Sequence, residues 1–407
     1  MKKIIMSLFL TLALFLTACG GGQEETKSGE SKEAGEKTIQ ILAPAYDTGY
    51  LKEEIDSGVK DFEAANPGVK VEIISAGWDE LNSKIVQLYQ AGQAPDIMMA
   101  GSRSLRQFAE MGIIENLDSY LEQEYLDTRI ENVMESANID GKQYGIPFAL
   151  SSRALYYRSD LIDTPPANWD ELLETAKRVH EEKNIYGFAI PTDLTSGTDE
   201  ILNFIYQGNG NIVDENGEFT INSEANIKTM EYLKGFKDVI PDPVSTARAD
   251  QAALFKNGDL AMFISGPWEK EEMDKNMENT PYKVAVLPQG EKESVALVTD
   301  SYSVSSLSDN KELAVEFIKL MSKPERQRPV SESHGWFPVL KDEVEDERFK
   351  EDFMKPFAEV ISQGIPEPKV PDWDKFNQSF TIAVQKILTE KAQPKEAMDT
   401  SQQECQK

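Results

Sequence analysis

The stretch between residues 38 and 100 decides the fold class, because it alternates two hydrophobic patterns. Segments 51–62 and 81–89 repeat apolar residues at helical spacing. Three short apolar runs flank and separate them: TIQILA (38–43), VKVEIIS (69–75) and DIMMA (96–100). Runs of this length and composition are typical of strands. The order strand, helix, strand, helix, strand predicts an α/β fold with a parallel sheet.

Polar and aromatic side chains follow each of these strands. Asp47 comes after the first, Trp78 after the second and Arg103 after the third. Because parallel sheets bind ligands at the carboxyl ends of their strands, we expect these three side chains to lie near a ligand.

The rest of the chain continues the α/β pattern. Asp140-Gly141 predicts a hairpin turn, and a second α/β unit is expected over about 150–298. Within it, 186–191 reads as a strand. Helices are expected at 311–321 and 372–390.

Composition excludes several classes of function. The 407 residues carry 42 Lys and Arg against 71 Asp and Glu, a net charge of −29. A nucleic-acid partner needs a basic face, so none is expected. With two His and two Cys there is little material for a zinc site, and we expect no metal and no cofactor. At about 150 residues per domain, the length predicts two or three domains.

The N-terminus reads as a targeting segment. Lys2 and Lys3 precede an apolar run at 4–16, which is shorter than the roughly 20 residues that span a bilayer as a helix. The following LTAC, ending at Cys19, resembles the bacterial lipobox. That resemblance implies a signal peptide at 1–18, removed on processing, and a lipid anchor with fatty acyl chains such as palmitate on Cys19. Residues 19–37 would form the lipidated start and a flexible tether, holding the protein at the extracytoplasmic face of the cell membrane.

Collinear motifs between residue 38 and about 400 resemble a known family. They are APDI (94–97), DGK (140–142), GIP (145–147), ALYY (154–157), WDEL (169–172), NGDLAM (257–262), SGPW (265–268) and NKELA (310–314). In this order they resemble the bacterial extracellular solute-binding proteins of carbohydrate ABC importers, the group that includes maltose-binding protein.

The resemblance implies a two-lobe, periplasmic-binding-protein-like α/β fold with hinge crossings near 148–152, 298–302 and 335–338. The N-terminal lobe would hold 38–149 plus about 299–335. The C-terminal lobe would hold 150–298 plus about 336–400. It also implies a monomer that is not an enzyme, which captures a sugar or oligosaccharide between the lobes and delivers it to the permease by hinge closure.

Sugars need aromatic platforms and polar groups, and the resemblance implies where these lie. Trp268, in SGPW, and Trp336, at the third crossing, are expected to stack on the ligand. The polar candidates near the crossings or after a strand are Ser151, Arg153, Asp193 and Asp300.

The ligand class stays open at this stage. Ala100 and Arg103 stand where maltose-binding protein carries an aromatic and an acidic ligand residue, which disfavours maltose itself. A neutral oligosaccharide is the first reading, and an acidic sugar such as a uronate oligomer, or a polyol phosphate, is the alternative. Arg103 and Arg153 discriminate: arginines without a neighbouring acid favour the acidic ligand, and paired arginines favour the neutral one. A secreted glycoside hydrolase and a structural or adhesive lipoprotein are remote alternatives.

Overall fold

The computed structural model describes residues 37–49, 51–194, 197–277 and 280–407. The predicted signal peptide and Cys19 lie outside the described residues, as does all but the last residue of the tether. In the described part, no helix is both long and apolar enough to cross a membrane.

Eleven strands and fifteen α-helices occur in the described residues. The strands are β1 (Lys37–Pro44), β2 (Val69–Ala76), β3 (Ile97–Gly101), β4 (Asn138–Ile139), β5 (Lys142–Gln143), β6 (Ile146–Ser151), β7 (Ala154–Arg158), β8 (Met262–Ser265), β9 (Tyr282–Ala285), β10 (Val295–Val304) and β11 (Gly364–Pro366). The helices are α1 (Lys52–Ala65), α2 (Leu81–Gln90), α3 (Leu105–Glu110), α4 (Gln123–Asp127), α5 (Glu131–Met134), α6 (Trp169–Lys183), α7 (Thr198–Gln207), α8 (Glu224–Lys234), α9 (Arg248–Asn257), α10 (Glu269–Asn276), α11 (Lys311–Met321), α12 (Pro324–His334), α13 (Lys355–Ala358), α14 (Trp373–Leu388) and α15 (Pro394–Cys405).

The larger sheet confirms the pattern predicted from 38–100. Its strand order is β11-β10-β3-β1-β2, with β6 paired to β10. Strand β1 lies parallel to both β2 and β3, whereas β10 runs antiparallel to β3 and β6. The short β4–β5 hairpin turns at Asp140 and Gly141, both with positive φ, as the Asp-Gly signal predicts.

The smaller sheet has three strands in the order β8-β7-β9, and both neighbouring pairs are antiparallel. The segment 186–191, which was predicted as a strand, is not one. Only Tyr186 makes a bridge, to Leu260, while the N–H groups of Gly187 and Phe188 donate to the Val239 carbonyl. The segment therefore satisfies its backbone against a loop, and its apolar pattern reflects burial and not strand pairing.

Buried side chains form separate cores around the two sheets, which we call the first lobe (larger sheet) and the second lobe (smaller sheet). Strand β10 joins them, because Val295 and Ala296 pack in the core of the second lobe and Val304 in that of the first. Trp336 and Phe337 also divide between clusters, since Trp336 packs in the first-lobe core and Phe337 with the smaller sheet. The exact lobe boundaries stay a prediction.

Candidate ligand-binding site

A cavity of about 690 Å³ lies between the lobes, and we call it the Trp78 groove. The first lobe contributes Trp78, Asn82, Arg103 and Gln107, and the second lobe contributes Trp373, Asp374, Asn377 and Gln378. This volume lies within the range of small-molecule sites, about 300–1,000 Å³. Two tryptophans and several carboxamides thus line one space, and Trp373 forms a largely buried part of its wall, at 5% exposure.

The first-lobe wall is built from the ends of parallel strands. Trp78 opens a short 3₁₀ turn directly after β2, and Arg103 lies in a second such turn directly after β3. These are the positions that the strand-end rule indicates. Trp78 keeps 37% of its surface exposed, so its ring is accessible.

The second-lobe wall is the start of helix α14. The Asp372 side chain caps this helix by accepting a hydrogen bond from the Lys375 N–H, which fixes Trp373 in the first turn. Two contacts join this turn to the first lobe: Asn82 Nδ2 donates to Asp374 Oδ1 at 3.1 Å, and the Trp373 N–H donates to Gln107 Oε1 at 3.2 Å. The lobes therefore already touch along the groove.

Arg103 is an ion-paired residue. Its Nη1 donates to Glu367 Oε1 at 3.1 Å, and its guanidinium carbon lies 5.2 Å from the centre of the Trp373 ring. Burial by itself lowers the pKa of Arg103, but Glu367 and the nearby Asp199 and Asp300 outweigh this effect and raise it. Arg103 is thus held charged by the carboxylates around it.

A second group of charges lies deeper. Glu200 accepts hydrogen bonds from Arg153 Nε at 3.1 Å and from Arg248 Nε at 2.9 Å, and Arg248 Nη2 also reaches Asp199 Oδ2 at 3.1 Å. Burial opposes ionisation of Asp199, but Arg103, Arg248 and Arg153 together lower its pKa to about 2. Asp199 therefore stays a carboxylate at any physiological pH.

The pKa values of two further carboxyl groups near Asp199 are raised, in contrast to that of Asp199. Burial raises the pKa of Asp300 to about 6, with Arg103 opposing the shift. Burial, together with Asp199 and Asp300, raises the pKa of Glu367 well above its usual range, again against Arg103. The interior thus contains carboxyl groups that interact electrostatically with one another and yet differ in proton affinity.

A second cavity, of about 810 Å³, contains Trp268 and is called the Trp268 groove. Gly266 permits the position of the indole, because a Cβ there would lie 2.0 Å from Trp268 Cζ3. The indole Nε1 donates to Glu269 Oε1 at 3.2 Å, and the Arg153 guanidinium lies 4.8 Å from the ring centre. Most of the charged side chains lining this groove are acids: Glu53, Glu54, Glu271, Asp274, Glu332, Asp346 and Glu351.

The structure brings only some of the sequence-predicted residues to a cavity wall. Trp78 and Arg103 line one groove and Trp268 the other. Arg153, 1% exposed, lies behind Trp268 and donates to Ser151 Oγ at 3.3 Å. Asp300 is in strand β10, opposite Gly101.

Three predicted residues lie elsewhere. The expectation that Trp336 faces the cleft is not met, since it is 4% exposed and packs edge-on against Phe148 in the first-lobe core, with ring centres 5.7 Å apart. Asp47 is exposed, and its N–H donates to Ser75 Oγ. Asp193 is half-buried, with its N–H bonded to the Thr246 carbonyl. Neither aspartate lines a groove.

Sequence reasoning did not select several residues that shape the site. Glu367 has no local signal, because its partner Arg103 is 264 residues away. Glu200 lies in the first turn of helix α7, where acids are common because they favour the helix dipole, and Arg248 at the start of helix α9 carries no local signal of its role. Asp372, an N-cap residue directly before Trp373, is the one local sequence signal that indicates the second-lobe wall.

The Trp78 groove suits a polyhydroxylated ligand. Indole faces pack on the C–H faces of such a ligand, and carboxamides both donate to and accept from hydroxyl groups. Each of Arg103 and Arg153 already has a carboxylate partner. In the described part of the chain, no three His, Cys, Asp or Glu side chains are grouped to hold a metal ion.

Comparison with known proteins gives one family. The profile of a family of bacterial extracellular solute-binding proteins matches residues 58–355. Among curated proteins, a binding protein of Brucella abortus is 29% identical over 377 residues, covering 89% of this chain and 91% of its own length. The galactooligosaccharide-binding protein of Bacillus subtilis is 24% identical and covers 98% of this chain and 95% of its own length.

Solved structures show the same two-lobe fold. The ABC substrate-binding protein of Listeria monocytogenes in complex with cycloalternan superposes with a TM-score of 0.79 at 24% identity, covering 91% of this chain and 98% of the other. At that identity the likeness concerns the fold, and the predicted two-lobe α/β fold class is confirmed.

Proposed function

The chain belongs to the bacterial extracellular solute-binding protein family, and on that premise we propose that it captures a neutral oligosaccharide in the Trp78 groove for an ABC importer. One observation carries the ligand class: two tryptophans and five carboxamides from opposite lobes line a single cavity between them. Recognition by stacking and by neutral hydrogen-bonding groups is what an uncharged sugar requires.

The arginines support a neutral ligand over the acidic alternative. A uronate oligomer or a polyol phosphate would bind best to a guanidinium without a carboxylate partner. Here Arg103 is paired with Glu367 and Arg153 with Glu200, at 3.1 Å in each case. The names of two similar proteins, a galactooligosaccharide-binding protein and a protein complexed with cycloalternan, also favour an oligosaccharide.

The position of the groove supports delivery by hinge closure. Because its two walls belong to different lobes, a ligand that touches both favours the arrangement in which the lobes approach. We propose that the permease of the importer recognises that closed arrangement, and that the protein acts as a monomer without catalysing a reaction. Light scattering of the purified chain with its ligand checks the monomer.

The ligand is testable by calorimetry and thermal unfolding of the full chain in detergent. Maltotriose, galactotriose and cellotriose form the neutral panel, and trigalacturonate and sorbitol 6-phosphate the acidic one. A ligand at about 100 times its dissociation constant stabilises the fold by about 2.7 kcal/mol. We expect a neutral sugar to bind and an acidic ligand not to.

The variant pair Trp78→Ala and Tyr186→Ala locates the site. Both side chains are 37% exposed, but Tyr186 lies outside both grooves. Losing one aromatic platform costs about 1.5–3 kcal/mol, so Trp78→Ala should weaken binding by about 10- to 100-fold, and Tyr186→Ala should not weaken it. Equal effects of the two variants, or no binding of any neutral sugar, would refute the proposal.

We also propose that Cys19 carries the lipid anchor, as the lipobox resemblance implies. Cells fed an alkyne analogue of palmitate should label the wild-type chain and leave Cys19→Ser unlabelled. The variant should also leave the membrane fraction or keep its signal peptide. Unchanged labelling of Cys19→Ser would exclude this anchor.

A further inference from the structure

We infer that Glu367 is a specificity-determining residue, which makes the groove prefer neutral over anionic sugars by masking the charge of Arg103. The inference rests on the proposed function, because it concerns the same groove. Glu367 acts through Arg103 and is not itself part of the groove wall, so it is a positioning and masking residue.

The geometry places the mask behind the arginine. Arg103 lines the groove, whereas Glu367 is 7% exposed and absent from the lining. Both Glu367 oxygens lie near Arg103 Nη1, at 3.1 and 3.5 Å. Arg103 Nε is buried and has no hydrogen-bond partner among the described residues. The guanidinium is therefore paired with a carboxylate from behind, and its unpaired Nε donor is buried.

The mask is held firmly in place. Glu367 directly follows β11, and its N–H donates to the Leu297 carbonyl of β10 at 3.3 Å. Two residues later, Lys369 Nζ donates to the carbonyls of Glu135 and Asn138 in the first lobe, at 2.6 and 2.8 Å. Because the loop is fixed on both sides of Glu367, its carboxylate cannot readily move away when a ligand arrives.

Glu367 is the acid whose removal unmasks Arg103. Three other carboxyl groups interact electrostatically with Arg103, namely Asp199, Asp300 and the groove-lining Asp374. Asp199 is bonded to Arg248 at 3.1 Å, and no contact of Asp300 with Arg103 within 4.0 Å occurs among the ion pairs of the described residues. Replacing Glu367 with an uncharged side chain thus leaves a groove-lining guanidinium without its contact carboxylate.

A mask of this kind gives specificity by repulsion. When Glu367 is ionised, a ligand carboxylate at Arg103 would lie beside its like charge, whereas a sugar hydroxyl would not be repelled. Because burial raises the pKa of Glu367, this repulsion strengthens as the pH rises. With Gln at position 367, the same guanidinium could pair with the ligand carboxylate through charge-assisted hydrogen bonds. The affinity for anionic sugars should therefore rise while that for neutral sugars changes little.

The test compares sugars that differ only in charge. Calorimetry on the full chain uses galactotriose against trigalacturonate and maltotriose against maltotriouronate, at pH 8.0 to favour ionised Glu367. For Glu367→Gln we expect the ratio of anionic to neutral dissociation constants to fall by about tenfold or more. The double variant Arg103→Gln/Glu367→Gln should lose this gain, and 0.5 M salt should reduce it, since screening weakens ionic contacts.

Glu343→Gln is the matched control. Glu343 is also buried, 1% exposed, and lines neither groove, although its neighbour Arg348 lines the Trp268 groove. Its substitution reports the general effect of removing a buried acid, and the affinity ratio should stay at the wild-type value. If Glu367→Gln does not fold, Glu367→Asp withdraws the carboxylate by one methylene and should move the ratio the same way by a smaller factor.

The outcomes separate this inference from the proposed function. A wild-type chain that binds no neutral sugar overturns the proposed function. A wild-type chain that binds a neutral sugar, with an affinity ratio unchanged by every foldable substitution at position 367, overturns the role of Glu367 alone. A change of equal size for the neutral and the anionic sugar would show a structural role and would also overturn it.

Discussion

Glu200 is the acid that links Arg153 and Arg248 in the group of charges described above. It is 2% exposed and accepts from Arg153 Nε at 3.1 Å and from Arg248 Nε and Nη2 at 2.9 and 3.0 Å. The substitution Glu200→Gln keeps the size of the side chain but replaces one acceptor oxygen with a donor. The buried guanidinium of Arg153 and the partly exposed guanidinium of Arg248 then share a neutral carboxamide.

The expected cost follows from these contacts. Breaking a buried ion pair by removing one partner costs about 3–5 kcal/mol. Because Arg248 keeps Asp199 at 3.1 Å, we expect the lower end, about 3 kcal/mol. A body of about 370 residues unfolds with an entropy near 0.8 kcal/mol/K at about 2.1 cal/mol/K per residue, so the melting temperature should fall by about 4 °C.

Differential scanning calorimetry of Glu200→Gln against Glu182→Gln measures this effect. Glu182 pairs with Arg178 at 3.3 Å on the surface of helix α6, and its side chain is 53% exposed. Exposed pairs of this kind contribute no more than about 1 kcal/mol, so the control should shift by about 1 °C or less. Similar small shifts for both variants would show that the buried layer is not a stabilising ion-pair network.

Three other substitutions test separate features. The folded-state pKa of Asp300, about 6, lies above its ordinary 3.8, so the stability linked to its proton is present below about pH 4 and lost as the pH rises through 6. Asp300→Asn should therefore gain up to about 3 kcal/mol relative to the wild type between pH 4 and 7, and melting curves across that range would contradict this if the difference stayed constant. Trp169 is stacked on Tyr232 with ring centres 4.5 Å apart and lies outside both grooves. Trp169→Ala should therefore lower the free energy of unfolding in urea by about 3 kcal/mol without changing the sugar dissociation constant. Weaker sugar binding by the folded variant would contradict this. At Gly187 a Cβ would lie 2.0 Å from the backbone oxygen of Ala176, so Gly187→Ala should abolish soluble expression, and a soluble variant with wild-type melting would refute this close packing.

Local patterns predicted three of the six strands of the larger sheet, because hydrophobic periodicity is a property of neighbouring residues. The runs quoted from 38–100 match β1, β2 and β3 to within one residue at either end. The same reasoning placed Trp78 and Arg103 at strand ends, where they do line a groove. It misassigned 186–191, since a buried extended segment and a strand have the same apolar pattern until their hydrogen-bond partners are known.

Side-chain direction at the crossings was beyond local reasoning. Trp336 and Phe337 are adjacent aromatic residues, and the sequence treats them alike. Their backbone passes between two clusters of buried residues, so one ring packs against Phe148 in the first lobe and the other against Phe349 beside the smaller sheet. A shift of the crossing by one residue would change the side on which each ring packs.

Because the chain is rich in acids, the pairing of an arginine with a carboxylate determines the charge that the groove presents to a ligand. With 71 acids and 42 basic residues, an arginine that is buried between the lobes has many carboxylates available as partners. An arginine could therefore present an unpaired charge to the ligand only if its position kept it out of contact with these acids. Arg103 is not protected, because Glu367 is fixed beside it by the loop after β11. The residue that determines the charge presented to the ligand is thus the acid behind the arginine, and substitutions at arginine positions alone would not reveal it.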